Sequence, residues 1–238
     1  MEKLNTIVQR QRDHLTSGGT VSIGSRRKSL KQLQAMVSSN GDTIAKAIGK
    51  DLGRCWMEAW SSEPGIVLAD TRYALKHLSA WNRKKRLRTS PMMLPGTVSA
   101  TREPFGVAVI IGPWNYPAGL LLAPMVSALA GGNTVILKPS ERAPHTGEIL
   151  QDLVGEFFPE EVVSVVRGGV EEARWLIEQA ADIVCFTGSG PTGKKVMASA
   201  ATRPIPVILE LGGANPCYVD SDADLKSAAA RIAWGKFF

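Results

Sequence analysis

The sequence predicts an α/β fold, a doubly wound Rossmann-like parallel sheet preceded by an N-terminal helical segment. From Gly106 onward, short apolar runs alternate with longer helix-patterned segments. The runs 107–111 and 134–137 are continuous rather than alternating, as strands buried on both faces require. Glycine-bearing turns follow two of the predicted strands, at the end of an open parallel sheet where ligands bind.

Residues 1–82 read as helices that pack on this sheet. Leu30, Leu33, Met36 and Val37 share one face, Ile44, Ala47 and Ile48 a second, and Val67, Ala74, Leu78 and Trp81 a third. Asn40-Gly41-Asp42 predicts a break between two helices, with Asp42 as N-cap of the second. Residues 83–105 read as a linker: a solvated hinge of Arg83, Lys84, Lys85, Arg86 and Arg88, a proline-bounded loop at 91–95, and an edge or hairpin strand at 98–101. Residues 106–238 then give strand 107–111, helix 118–129, strand 134–137, helix 146–157, strand 162–166, helix 171–179, strand 183–186, helix 193–200 and strand 207–209. There are no internal repeats.

With 238 residues and 44% hydrophobic content, the chain is long enough to bury a substantial core. The net charge of +6 owes five charges to the single stretch around Arg86, so the basicity is local, and no aromatic platform accompanies it; a nucleic-acid partner is not expected. The three cysteines are too scattered for a disulfide framework and form no CxxC pair, which points to a reducing, cytoplasmic setting without a structural metal. Residues 1–14 lack the apolar core of a signal peptide. No charge occurs between Glu103 and Lys138, a length that permits a membrane span, but Gly112-Pro113, Pro124 and Gly131-Gly132-Asn133 divide it into strand, helix and strand.

Chemistry is expected in the turns. Gly188-Ser189-Gly190-Pro191-Thr192-Gly193 follows an apolar strand and opens a helix, so its glycines and the helix's positive end suit a pyrophosphate. The competing reading is a tight turn without a ligand. A dinucleotide fingerprint also expects an acidic residue about twenty positions further on to hold the ribose, and Glu210 sits there. The surroundings Leu209-Glu210-Leu211-Gly212-Gly213 suggest instead a carboxylate among apolar neighbours, where partial burial would lift its pKa toward that of a general base. Spacing alone leaves both roles open.

Five segments taken together resemble the aldehyde dehydrogenase superfamily, and the short N-terminus resembles its class-3 branch. They are Pro104-Phe105-Gly106-Val107, Gly112-Pro113-Trp114-Asn115-Tyr116-Pro117, Gly131-Gly132-Asn133 running through Lys138-Pro139-Ser140-Glu141, Phe186-Thr187-Gly188-Ser189, and Leu209-Glu210-Leu211-Gly212-Gly213. The resemblance implies NAD or NADP as cofactor, with Lys138 and Glu141 on the adenosine ribose, Gly188 and Ser189 near the pyrophosphate, and Trp114, Gly193 and Leu211 completing the cofactor site. It also implies Asn115 as an oxyanion-hole amide and Glu210 as the general base, overriding the ribose reading. The implied reaction is thiolate attack on an aldehyde, hydride transfer and thioester hydrolysis. The family's nucleophile sits in a Gly-Gln-x-Cys segment a little beyond a stretch like Trp234-Gly235-Lys236-Phe237-Phe238, so the chain is expected to end before it and before the catalytic domain. Cys185, inside an apolar strand, is expected to be an inert core residue, and Cys217 matches no nucleophile motif.

A medium or long apolar aldehyde, or an aromatic one, is the substrate that the class-3 resemblance implies, and a homodimer the expected assembly of the complete protein. Two rivals stand beside this reading: a non-catalytic dinucleotide-binding chain, and an acylating or acyl-phosphate reductase of the same fold. The reductases generally lack the glutamate found here as Glu210.

Overall fold

The computed structural model describes residues 2–237. Four helices lead the chain: α1 (Glu2–Thr16), α2 (Ile23–Leu52), α3 (Trp56–Ser62) and α4 (Pro64–Trp81). A two-stranded antiparallel ribbon, β1 (Lys85–Leu87) and β2 (Val98–Ala100), links them to the sheet. The rest alternates: β3 (Val107–Ile111), α5 (Gly119–Gly131), β4 (Thr134–Lys138), α6 (Pro144–Phe157), β5 (Val163–Val165), α7 (Val170–Trp175), β6 (Ile183–Gly188), α8 (Gly190–Ala200), β7 (Val207–Leu211) and α9 (Leu225–Phe237). One π-helical turn, Leu176–Ala180, continues α7.

The five parallel strands run in the order β5-β4-β3-β6-β7. The order reverses between β3 and β6, which makes a crevice at their carboxyl ends. Strand periodicity assigns each residue to a face. One face carries Ile110, Val135 and Leu137 and packs under α2, α5 and α6; the other carries Val109, Ile136, Val184 and Phe186 and packs under α1, α8 and the α7 region. All five residues of β3 are buried, which is why that segment reads as an unbroken apolar run.

Three expectations need correction. Asn40-Gly41-Asp42 does not break a helix, because α2 runs through it for 30 residues. A Cβ on Gly41 would lie 2.8 Å from Trp60 Nε1, so the glycine lets the indole approach closely. Asp42 is not a cap; its carboxylate accepts from Trp56 Nε1 at 3.1 Å. The basic hinge is partly a strand, since Lys85, Arg86 and Leu87 pair with Ala100, Ser99 and Val98 and leave their side chains in water. Pro124 lies inside α5 rather than interrupting it. Smaller shifts concern boundaries: α8 begins at Gly190, and β7 continues through Glu210 to Leu211. Among the described residues no helix is long and apolar enough to cross a membrane.

Candidate functional site

Every residue singled out from the sequence lies at or just beyond the carboxyl ends of β3, β4, β6 and β7, or in the first turn of α8. Lys138 ends β4, opposite Ile111 in register. Its side chain is only 4% exposed, and Nζ pairs with Glu141 Oε2 at 3.1 Å. A surface lysine reaching for solvent is therefore excluded, since a buried ammonium needs a partner of this kind. Glu141 is the exposed member of the pair. Its own backbone N–H, and next the Lys138 ammonium, hold its carboxyl below the usual carboxylate range.

Gly188 ends β6, and Ser189 caps α8: its Oγ accepts from the Thr192 amide at 3.4 Å and shares a hydrogen bond with the Thr192 hydroxyl at 2.9 Å. Gly193 has a packing role. A Cβ there would lie 2.9 Å from Leu211 Cδ2, and its amide is committed to the Ser189 carbonyl at 2.9 Å. Leu211, in turn, packs α8 against β7.

Glu210 is held apart from the lysine pair. Its β6 neighbour is Thr187, and alternation puts it on the face of Ile208 and Cys185, the α5 side. Lys138 shares the opposite face with Ile136. The two strands are also three spacings apart, about 14 Å at about 4.8 Å each. Glu210 cannot share a ribose with Lys138 across that separation. The partial burial expected of Glu210 is not present: β7 is an edge strand, Ile208 beside it is 48% exposed, and the carboxylate is exposed too. Cys185 has its thiol pushed up to about 11, first by burial and then by the charge of Glu210, so it is a protonated wall residue at neutral pH. Glu210 and Cys185 both line an open cavity of about 880 Å³ beside α5.

Trp114 and Asn115 sit exposed on the loop from β3 into α5, the helix on Glu210's side of the sheet. What fixes this loop was missed from the sequence. Glu63, fully buried, accepts from the amides of Ala118 at 2.8 Å and Gly119 at 2.7 Å, capping α5. Arg54 Nη1 pairs with Glu63 at 3.1 Å, and the guanidinium lies 4.2 Å from the centroid of the Tyr116 ring. Burial raises the Glu63 carboxyl's pKa, and the two amides and Arg54 oppose that rise. A similar device was missed at α6, where Asp51 accepts from His145 N at 3.1 Å and Thr146 N at 2.7 Å. No local signal marks either cap, because donor and acceptor are 55 and 94 residues apart.

Residues 2–238 match the aldehyde dehydrogenase family. The 4,4'-diapolycopene-4,4'-dial dehydrogenase of Cytobacillus firmus is 41% identical over 98% of this chain and 52% of its own length. Among class-3 relatives, the dimeric NADP-preferring aldehyde dehydrogenase of Mus musculus is 39% identical over 100% of this chain and 52% of its own. A solved structure described as the substrate-bound state of Staphylococcus aureus AldH superposes with a TM-score of 0.92 at 36% identity, over 98% of this chain and 51% of that one. The chain spans about half the length of the curated relatives it matches. By a match over essentially its whole length, this chain belongs to the aldehyde dehydrogenase family, alongside its class-3 members.

Proposed function

We propose that the complete protein oxidises an aldehyde to a carboxylic acid with NAD or NADP, and that these 238 residues supply its cofactor grip and general base. The observation that carries this reading is the separation of Lys138 and Glu141 from Glu210, on opposite faces of the sheet and three strand spacings apart. One carboxylate is thereby available to a sugar and the other to proton transfer.

The residues fit a dinucleotide. A buried ammonium beside an exposed carboxylate offers a donor and an acceptor to vicinal ribose hydroxyls. Gly188 and Ser189, where β6 passes into α8, suit the pyrophosphate; Trp114 walls the crevice, while Gly193 and Leu211 keep α8 close against β7. Bound NAD or NADP supplies the hydride acceptor.

In this reading Glu210 takes the proton of a cysteine thiol and later that of the water that hydrolyses the thioester. The Asn115 side-chain amide donates to the oxygen of the attacked carbonyl as it gains charge. In the same proposal the thiol comes from a segment outside these residues, as the resemblance implies: Cys185 is held protonated, and neither Cys55 nor Cys217 lines the cavity that Glu210 faces. A cytoplasmic setting and a homodimer belong to the same proposal, the first resting on three free cysteines and the second on the relative named as dimeric.

A second reading, a dinucleotide-binding chain without catalysis, draws support from the half-length coverage of the relatives. Mixing the purified chain with NAD and an apolar aldehyde tests both. Cofactor binding without NADH formation is the expected outcome. Turnover would overturn the assignment of the nucleophile, and loss of all dinucleotide binding would overturn the cofactor role.

A further inference from the structure

The loop that carries Asn115 is pinned at both ends. On the β3 side, the Gly112 amide donates to the Lys138 carbonyl at 3.2 Å. On the α5 side the Ala118 side chain offers the first turn no acceptor, and Glu63 supplies one from the joint of α3 and α4. Asn115 itself is exposed, so its amide is aimed by the backbone that these contacts hold.

Arg54 ties the Glu63 anchor to the residue beside Asn115. It follows Gly53, whose left-handed backbone (φ 71°) ends α2. Its Nη1 pairs with Glu63 at 3.1 Å and its Nε with Glu58 at 3.2 Å, while Cζ lies over the Tyr116 ring, 4.2 Å from the centroid. The Tyr116 carbonyl in turn accepts from the Leu120 amide at 3.2 Å, in the first turn of α5. A cap on α5 would need only Glu63 and any counter-charge. The added contact with Tyr116 makes this guanidinium more than a counter-ion. A lysine there would keep the charge but lose the planar fork that serves two carboxylates and a ring at once.

Resting on the reading of Asn115 given above, we propose that Arg54 is a positioning residue for aldehyde oxidation: through the Tyr116 ring it fixes the loop so that the Asn115 amide meets the carbonyl oxygen as that oxygen gains charge. Preorganised donors act through geometry, and a misplacement of about 1 Å can cost about 100-fold in rate.

Single-turnover NADH formation by the complete protein, with an apolar aldehyde and saturating NAD, tests this in wild type, Arg54→Lys, Asn115→Ala and the double variant. Arg54→Lys is expected to slow the step about 10-fold while NAD affinity, which reports folding, changes by less than about 2-fold. Tyr116→Leu is expected to slow it by a similar factor. In the Asn115→Ala background, Arg54→Lys should slow it by less than about 2-fold further, because the amide it aims is gone. A loss of about 10-fold persisting in that background, or no loss in the wild-type background, would overturn the role of Arg54 and leave the proposed function standing. Loss of NAD affinity in Arg54→Lys would mark a purely structural cation and overturn it equally. An Asn115→Ala variant as fast as wild type would remove the part given to Asn115, and that of Arg54 with it. Failure of the complete wild-type protein to oxidise any aldehyde would overturn both the function and this proposal.

Discussion

Lys138 and Glu210 lie at the carboxyl ends of two strands in one sheet, yet their surroundings differ sharply. Lys138 is packed on a central strand, with its counter-charge three residues away and the neighbouring helix α6 capped by Asp51. Glu210 stands on an edge strand covered on one face by α8, and its other face opens into the large cavity beside α5. A ribose grip can be completed locally, because two side chains from one strand and its following turn suffice. In the proposed reading, Glu210 takes protons from a thiol and a water, which needs a second surface opposite it. The open face is where such a surface would sit.

The contrast can be tested by perturbing each half. The largest effect belongs to the loop that carries Asn115. Glu63→Ala would leave two helix amides without their acceptor and Arg54 with Glu58 alone, costing about 3–5 kcal/mol in urea unfolding. A loss under about 1 kcal/mol would show that α5 needs no such anchor. At the β7 side, Gly193→Ala pushes a methyl into Leu211 and should cost about 1–3 kcal/mol. Combining it with Leu211→Ala should recover part of that loss, and strict additivity would deny the contact. A smaller cost, about 0.5–2 kcal/mol, is expected for Asp51→Ala from the lost cap on α6.

Cysteine labelling gives the smallest perturbation. Cys55 and Cys217 are exposed and should alkylate first near neutral pH, whereas Cys185 should become reactive only as pH approaches about 11. The sign follows from a raised folded-state value. The Cys185 thiol contributes stability below the ordinary thiol range, and that contribution is lost as pH rises through about 11. Glu210→Gln should lower the labelling pH, because it removes a like charge.

The sheet was legible because buried parallel strands leave short, continuous apolar runs bounded by turn residues, as 107–111 between Gly106 and Gly112-Pro113 shows. Lys138 was legible for a related reason, being the first charge after such a run. Gly41 misled because one residue type serves two ends, breaking a helix or admitting a neighbour such as Trp60, and only the partner decides which. Glu63 and Asp51 were hidden because each acts on a helix distant in sequence. The openness around Glu210 was equally hidden: alternation fixes the face of a strand residue but not what covers that face.

The central claim is that the two carboxyl-end sites are chemically separate. Isothermal titration of NAD into wild type, Lys138→Ala and Glu210→Gln tests it most directly. The account predicts at least about a 10-fold loss of affinity for Lys138→Ala and less than about a 2-fold change for Glu210→Gln. Strong weakening by Glu210→Gln with binding intact in Lys138→Ala would contradict it.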